Sequence, residues 1–424
     1  MALAEDPVVH SILTVSDKKE HGRKRRVIGH GFTETAIRGY ESMIQSQIQV
    51  FCEKLMEDGG EHGFGEESQG WSSPQNMAEW YEYLSQMTSC RDVVFSYPLD
   101  LLTRAENRFF VDVIDKMMYR VGVLSQIPQM LKWKLSPFVI PSGRLASKRF
   151  VGLAKEIATT RVQRVTADSH RDVFQNLIDA KDSETGEKLA LPEVLAETMA
   201  LIVAGSDTTS SALAAIFFYL SRNPEAYTKL TEEVRNTFKD ASDIHSGPQL
   251  RSCTYLRACI DEGMRMNPPV SSPLWREVGN GGAKIDGEYI NEGYSVATGL
   301  YALHHNPAYF SRPFRYSPER WIVSKDNSAE TIELAKKAFA PFSIGARMCA
   351  ARNMALLEIL LTVAHVVWAM DLKVADGPVG RTGQGGLAMQ RGRERDDEFQ
   401  VDGHFVTVGK DGPVLQFQKR DLGT

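Results

Sequence analysis

The stretch Phe342-Ser-Ile-Gly-Ala-Arg-Met-Cys349 decides the interpretation of this sequence, because it forms a short loop that leads into a strongly apolar helical stretch. Gly345 permits a tight turn and leaves the sulfur of Cys349 accessible to backbone N–H donors. Arg347 supplies positive charge beside the cysteine, and Phe342 offers a flat apolar cover. These features suit a thiolate that holds a haem iron, since the thiolate and the haem propionates are both negative.

A single cysteine in an apolar protein is most often a small buried residue, and this alternative applies to Cys349 taken alone. The four positions at fixed spacing favour a functional role. The loop resembles the signature Phe-x-x-Gly-x-Arg-x-Cys-x-Gly of the cytochrome P-450 superfamily of haem-thiolate monooxygenases, at Phe342, Gly345, Arg347 and Cys349. It departs from that signature at Ala351, where the family usually has glycine. The resemblance implies one haem b with an axial thiolate from Cys349.

A second motif, Ala204-Gly-Ser-Asp-Thr-Thr209, lies within a long apolar stretch. An acid beside an alcohol in an apolar helix is costly, since both must be satisfied on burial, and Gly205 costs the helix up to about 1 kcal/mol. The motif resembles the family's oxygen-activation segment, in which the helix opens locally. That resemblance implies that Thr208 hydrogen-bonds bound oxygen and that Asp207 relays protons from solvent. The alternative is that the hydroxyls bond to carbonyls of their own helix.

Glu262-Gly-Met-Arg265 places opposite charges three residues apart on one helical face. Such a pair is ordinarily exposed and worth only a few tenths of a kcal/mol, roughly. With the later Pro318-Glu-Arg320-Trp321, however, it resembles the Glu-x-x-Arg and Pro-Glu-Arg-Phe/Trp elements of the family. The resemblance implies a buried structural triad of Glu262, Arg265 and Arg320 that fixes the cysteine loop against the core.

Basic residues near the start of the chain also follow the family pattern. His21-x-x-x-Arg25, followed by Phe32, resembles the first haem-contacting helix, in which a basic side chain meets a propionate. Arg276 matches a position that often completes propionate binding, and Arg347 lies inside the cysteine loop. The alternative for such a basic run is solvated surface.

The pattern of the chain predicts a mainly α fold with a small β portion (α+β). The resemblance implies the cytochrome P-450 fold, in a single haem domain over residues 1–424. The predicted helices lie within 20–58, 74–182, 192–223, 224–238 and 254–266, and the predicted strands lie at 283–290, 295–299, 404–408 and 414–418. The glycine-rich stretch 377–386 has no strand before it and no helix after it, so we expect a loop and no nucleotide site.

Composition excludes several classes of protein. The chain of 424 residues has 42% hydrophobic and 24% charged residues and a net charge of −5, which gives no reason to expect nucleic acid. The five cysteines show no C-x-x-C spacing, so neither a disulfide framework nor a zinc site is indicated, and a reducing, intracellular environment fits best. The apolar stretches 199–220 and 354–370 contain acidic residues, and we expect buried core helices there.

The resemblance extends from about residue 10 to the C terminus. By that comparison we expect this chain to lack the usual N-terminal membrane anchor and first strands. The run His304-His-Asn-Pro307 and the tail Gly412-Pro-Val-Leu-Gln-Phe417 are similar to the filamentous-fungal enzymes of secondary metabolism. With no membrane segment in this chain, we expect a cytoplasmic location, although the family resemblance also allows the surface of the endoplasmic reticulum membrane.

The resemblance implies insertion of one oxygen atom from O2 into a small apolar substrate. Electrons would come from a separate NADPH-dependent flavoprotein reductase, since the chain has no flavin or nicotinamide motif. Lys336, Lys337 and Arg352 flank the cysteine loop and suit an acidic partner, with solvated surface charge as the alternative. Two other functions stay open at this point: a non-catalytic haem-binding remnant, and an enzyme that uses the same site for rearrangement or ring expansion.

Overall fold

The computed structural model describes residues 9–57, 70–88, 93–94, 97, 99–127, 129–164, 172–389, 391–403, 406–408 and 411–421. The α-helices of these residues are α1 (Lys18–Gly29), α2 (Glu34–Met56), α3 (Met77–Met87), α4 (Phe109–Gln126), α5 (Gln129–Lys132), α6 (Ser136–Val139), α7 (Pro141–Arg164), α8 (Val173–Asp179), α9 (Leu191–Arg222), α10 (Pro224–Thr237), α11 (Pro248–Ser252), α12 (Thr254–Met266), α13 (Leu300–His304), α14 (Ala329–Ala338) and α15 (Arg352–Ala369). The strands are β1 (Gln75–Asn76), β2 (Arg276–Glu277), β3 (Ala283–Ile285), β4 (Glu288–Ile290), β5 (Ser295–Val296), β6 (Met370–Val374), β7 (Asp402–Gly403), β8 (Thr407–Val408) and β9 (Val414–Lys419).

Helix α9 forms the axis of the fold. Pro192 occupies its first turn, where the missing N–H costs no hydrogen bond, and the Glu193 carboxylate accepts a bond of 2.9 Å from the backbone N–H of Ala190. The helix ends just before Pro224, which starts α10. Its 32 residues give a length of roughly 48 Å. It packs against α3, α7, α12 and α15, so the middle of α9 is surrounded by protein.

The β portion is small and antiparallel. Strands β1, β9 and β6 form a three-stranded sheet in that order, and β2 pairs with β5. The segment predicted as one strand at 283–290 is instead a hairpin of β3 and β4. Asp286 and Gly287 form its turn with φ angles of +48° and +86°, and a two-residue turn of this kind reverses the chain. His404 and Phe405, at the start of the predicted strand 404–408, lie outside the described residues.

Two helices of the described chain, α9 and α15, are long and apolar enough to cross a membrane by length and composition. In the fold, however, 72% of the apolar window of α9 and 61% of that of α15 are buried against other protein. A core helix and a spanning helix pass the same composition test, and the burial agrees with the expected core helices.

Candidate functional site

The cysteine loop is a tight turn that closes on itself. Ser343 and Gly345 have φ angles of +60° and +73°, and the left-handed conformation at the second position suits glycine. The backbone N–H of Cys349 donates to the carbonyl of Phe342 at 3.0 Å, and that of Met348 donates to Gly345 at 3.0 Å. These bonds place Cys349 at the end of the loop, three positions before α15 begins at Arg352, with its side chain exposed.

Opposing effects act on the Cys349 thiol. Partial burial in the surrounding protein raises its pKa, while the backbone N–H of Ala351 and the charges of Arg25 and Arg352 act to lower it. The net shift is upward, so the free thiol keeps its proton at neutral pH. A coordinated metal ion deprotonates a thiol outright, and the neighbouring arginines then stabilise the thiolate.

Helix α1 and the cysteine loop hold each other through two arginines. Arg25 donates from Nη1 to the carbonyl of Met348 at 2.5 Å. In the other direction, Arg347 donates from Nη1 to the carbonyl of Val15 at 2.8 Å, just before α1. The residue preceding Cys349 is therefore fixed by a helix more than 300 positions earlier in the chain.

Four basic side chains near the junction of α1 and the cysteine loop influence one another's charge. They are His21, Arg25, Arg276 and Arg347. The pKa of His21 is lowered by burial and by Arg347 and Arg25. The pKa of Arg347 is lowered by burial and by Arg276. Among the described residues, no carboxylate lies within 4 Å of any of the four. Such a cluster fits an anionic group, and the sequence-based expectation of a haem with two propionates is compatible with it.

The rest of the basic run on α1 is not solvated surface. Lys24 is fully buried, with Nζ 3.1 Å from Glu193 and 3.2 Å from Glu197 of α9. Arg26 donates from Nε to Asp182 at 2.5 Å. The burial of Lys24 was not predicted from the sequence. The pair of carboxylates four residues apart in the first two turns of α9, which share one helical face, was a sequence signal for a buried cation partner.

The structure brings the predicted triad together in the core. Glu262 and Arg265 form a bidentate pair with two bonds of 2.9 Å, and Arg320 Nε lies 3.2 Å from both carboxylate oxygens. Trp321 Nε1 and the backbone N–H of Ser317 each donate to the same carboxylate at 3.0 Å. Burial raises the pKa of Glu262, but the two arginines outweigh it and the net shift is downward. An exposed pair, the alternative, does not match this geometry.

In the motif on α9, the hydroxyls bond within their own helix. Thr208 Oγ1 donates to the carbonyl of Ala204 at 2.8 Å, and Ser206 Oγ donates to that of Ile202 at 2.8 Å. These are the bonds of the alternative interpretation. Helix α9 runs through this segment without a break, so the local opening implied by the family resemblance is absent from this stretch. Since both hydroxyls find acceptors one turn earlier, the continuous helix leaves neither of them unsatisfied.

Asp207 is the unusual group of this motif. It is 8% exposed, and its Oδ1 accepts from Ser206 at 3.1 Å. Its Oδ2 is buried and has no hydrogen-bond partner in the part of the chain that the structure describes. Burial, and then the charge of Asp115, raises the pKa of Asp207 to about 7. A carboxyl with such a pKa can take up and release a proton near neutral pH. The sequence analysis missed Asp115 and also Glu82, a further carboxyl whose pKa is raised by burial, Asp115 and Asp207.

The remaining predicted residues lie around the loop. Phe342 is half-buried, and the Arg352 guanidinium lies 5.8 Å from the centre of its ring. Lys336 pairs with Glu333 at 3.0 Å, and Lys337 is exposed near the end of α14. Lys336 and Lys337 precede the loop in the chain and Arg352 follows it, and these three cations are called its positive border below.

Comparisons with known proteins agree with this arrangement. The family model described as cytochrome P-450 matches residues 3–392. A cytochrome P-450 monooxygenase of Gibberella zeae is 38% identical over 411 residues, which are 97% of this chain and 92% of the relative. The cytochrome P-450 monooxygenase AKT7 of Alternaria alternata is 38% identical over 412 residues, 96% of this chain and 77% of the relative.

The fold has a counterpart among solved structures. The haem domain of cytochrome P-450DA has a TM-score of 0.72 and 19% identity, and the match covers 96% of this chain and 79% of that one. At this identity the likeness concerns the fold alone. The predicted mainly α fold with a small β portion is confirmed.

Glu262→Ala is expected to destabilise the protein by about 3–5 kcal/mol, because it leaves two buried arginines without their shared carboxylate. The free energy of unfolding, measured by urea denaturation, and the recovery of haem-loaded protein test this. The matched control is Glu333→Ala, which removes a carboxylate from an exposed pair and should cost less than about 1 kcal/mol. An equal decrease in the free energy of unfolding for both variants would show that the triad stabilises the protein no more than an exposed ion pair does.

Asp207→Asn should change how stability depends on pH. The folded protein keeps the Asp207 proton up to about pH 7, whereas an unfolded aspartate releases it near pH 4, roughly. The wild type therefore loses stability as the pH rises through this window. The variant lacks this loss, so its advantage should grow from near zero at about pH 4 to at most about 4 kcal/mol above pH 7. Urea denaturation at several pH values measures the difference, and a constant difference would contradict the assignment.

Proposed function

The chain belongs to the cytochrome P-450 family, and from this premise we propose that it binds one haem b through Cys349 and inserts one oxygen atom from O2 into a small apolar substrate. The observation that carries the proposal is the exposed Cys349 thiol beside four basic side chains that have no carboxylate partner among the described residues. The similarity to monooxygenases of filamentous fungi supports a role in secondary metabolism.

Each part of the site has a separate task. A haem with a thiolate ligand supplies the oxygen chemistry, since thiolate donation favours O–O cleavage. His21, Arg25, Arg276 and Arg347 hold the propionates and so orient the group. The bond from Arg25 to the Met348 carbonyl keeps Cys349 in place while it acts as ligand.

Proton delivery is assigned to the motif on α9. Asp207 holds a proton near neutral pH because it is buried close to Asp115. Thr208 lies one position further along the same helix, with its hydroxyl bonded to Ala204 at 2.8 Å. If that hydroxyl were released from the carbonyl, it would serve as a donor in the active site, and the buried Asp207 carboxyl would supply protons to this region. The helical bond of Thr208 is thus the resting arrangement of a proton donor.

The partners follow from the same reasoning. The electron donor is a separate NADPH-dependent flavoprotein reductase, which meets the positive border of the loop formed by Lys336, Lys337 and Arg352. We place the protein inside the cell, where such a reductase is found, in the cytoplasm or at the surface of the endoplasmic reticulum membrane.

Cys349→Ser should abolish oxygenation, because a neutral hydroxyl does not replace thiolate donation. The measurement is the absorption spectrum of the reduced, carbon monoxide-bound protein. The wild type should show a red-shifted Soret band and the variant an unshifted one. Cys52→Ser, on α2, is the matched control and should keep the shifted band. A shifted band in Cys349→Ser removes this residue from the site, and an unshifted band in the wild type favours a haem-binding remnant.

The Thr208→Ala variant should still consume reducing equivalents but release hydrogen peroxide in place of product, since it lacks the hydroxyl to which we assign proton donation. Electrons used, peroxide and consumed O2 are measured together. Thr198→Ala is the matched control, because Thr198 makes the same 2.8 Å bond to a carbonyl one turn earlier on the same helix. If the fraction of electrons that ends in product falls equally in both variants, the loss is due to a general disturbance of α9, and the role of Thr208 is disproved.

A further inference from the structure

A cleft of about 490 Å³ lies where α9 ends and faces the segment between α13 and α14. Its walls include four arginines, Arg222, Arg312, Arg315 and Arg395, and a single acidic residue, Asp397. None of these residues belongs to the haem site, to the triad or to the positive border of the cysteine loop. The volume lies in the range of small-molecule sites, roughly 300–1,000 Å³.

The positive charge of this cleft is not balanced. Among the described residues, no carboxylate lies within 4 Å of the guanidinium of Arg222, Arg312 or Arg315. Arg395 has only a distant partner, Glu398, at 3.9 Å. Like charges gathered around one cavity repel each other, so the arrangement favours an anion inside it.

Arg222 is the deepest of the four. Its guanidinium donates to the carbonyl of Gly380 at 2.7 Å and to Ser221 Oγ at 3.2 Å, and it lies 4.0 Å from the centre of the Phe218 ring. Burial lowers the pKa of Arg222 to about 10. An adjacent anion would favour the charged form and oppose this shift. The side chain is thus held in place by neutral groups, and its charge has no counter-ion within the described ranges of the chain.

The backbone of Arg312 supports a functional interpretation. Its φ is +46°, a conformation that is unfavourable for a residue with a Cβ. Backbone strain of this kind persists where the surrounding structure imposes it, and it is concentrated at binding and catalytic sites. Arg395 adds an aromatic contact, since its guanidinium lies 3.9 Å from the centre of the Phe314 ring at the same cleft.

We propose that this cleft binds a phosphate-bearing anion with at least two negative charges. Guanidinium groups present paired N–H donors that match phosphate oxygens in geometry and in charge. The positive charge of four arginines around one cavity is greater than the single negative charge of a carboxylate, and it suits a diphosphate.

The cleft is connected to the triad through the backbone. Arg265 donates from Nη1 to the carbonyl of Pro313 at 2.7 Å and from Nη2 to that of Arg315 at 3.3 Å. The chain that forms one wall of the cleft therefore also accepts bonds from the buried arginine of the triad. An anion bound to this wall would stabilise the contacts of Arg265, and ligand binding to the folded state raises the midpoint of thermal unfolding.

The test is isothermal titration calorimetry of the haem-loaded full chain with inorganic pyrophosphate, at an ionic strength kept constant with sodium chloride because salt screens such contacts. The variant is Arg312→Gln/Arg315→Gln, which removes two exposed arginines. The matched control is Lys239→Gln/Arg251→Gln, which removes two exposed cations elsewhere on the protein. A second titration with ADP distinguishes a nucleotide from free diphosphate as the source of the phosphate.

We expect saturable binding of one pyrophosphate, and we expect the bound ligand to raise the midpoint temperature of thermal unfolding. Affinity should fall about tenfold or more in the cleft variant, because charge-assisted bonds are lost, and should stay unchanged in the control. Tighter binding of ADP than of pyrophosphate assigns a nucleotide, and equal binding assigns the diphosphate alone. The absence of saturable binding by both ligands overturns the proposal, as does an equal loss of affinity in the cleft variant and the control.

Discussion

The buried carboxylate of Glu262 is the constraint on which the rest of the site depends. It lies on α12 and accepts bonds from Arg265 on its own helix and from Arg320 and Trp321 on the segment that leads toward the cysteine loop. A buried carboxylate is costly unless its oxygens are fully bonded, so the chain must bring these donors together in order to fold. The segment that precedes the cysteine loop in the chain is thereby attached to α12.

Helix α1 is the second element that fixes the cysteine loop. Successive residues on a helix point about 100° apart, and here Lys24, Arg25 and Arg26 reach three different neighbours. Lys24 pairs with α9, Arg25 bonds to the carbonyl of Met348, and Arg26 pairs with Asp182. A short basic helix thus joins the central helix to the cysteine loop.

Sequence reasoning succeeded where a motif is short and its spacing is set by local chemistry. The loop ending at Cys349 and the pair of Glu262 and Arg265 could be predicted, because a few residues determine each of them. The bond between Arg25 and Met348 could not, since it joins residues 323 positions apart. The same limit applies to Asp115, whose effect on Asp207 depends on how separate helices pack.

The short strands show another limit of the sequence. β1 has two residues and cannot display the alternation that identifies a strand. The hairpin of β3 and β4 was predicted as one strand, although Asp286-Gly287 is a turn signal that favours reversal of the chain. In the motif on α9, the sequence left open whether the hydroxyls bond to carbonyls of their own helix, because a threonine that donates to its own helix and one that donates to a ligand have the same sequence. The proposed binding of the haem iron by the Cys349 sulfur is tested most directly by iron K-edge X-ray absorption of the purified ferric protein. Our account predicts one sulfur atom in the first coordination shell of the iron, and a shell of nitrogen and oxygen atoms alone would contradict it.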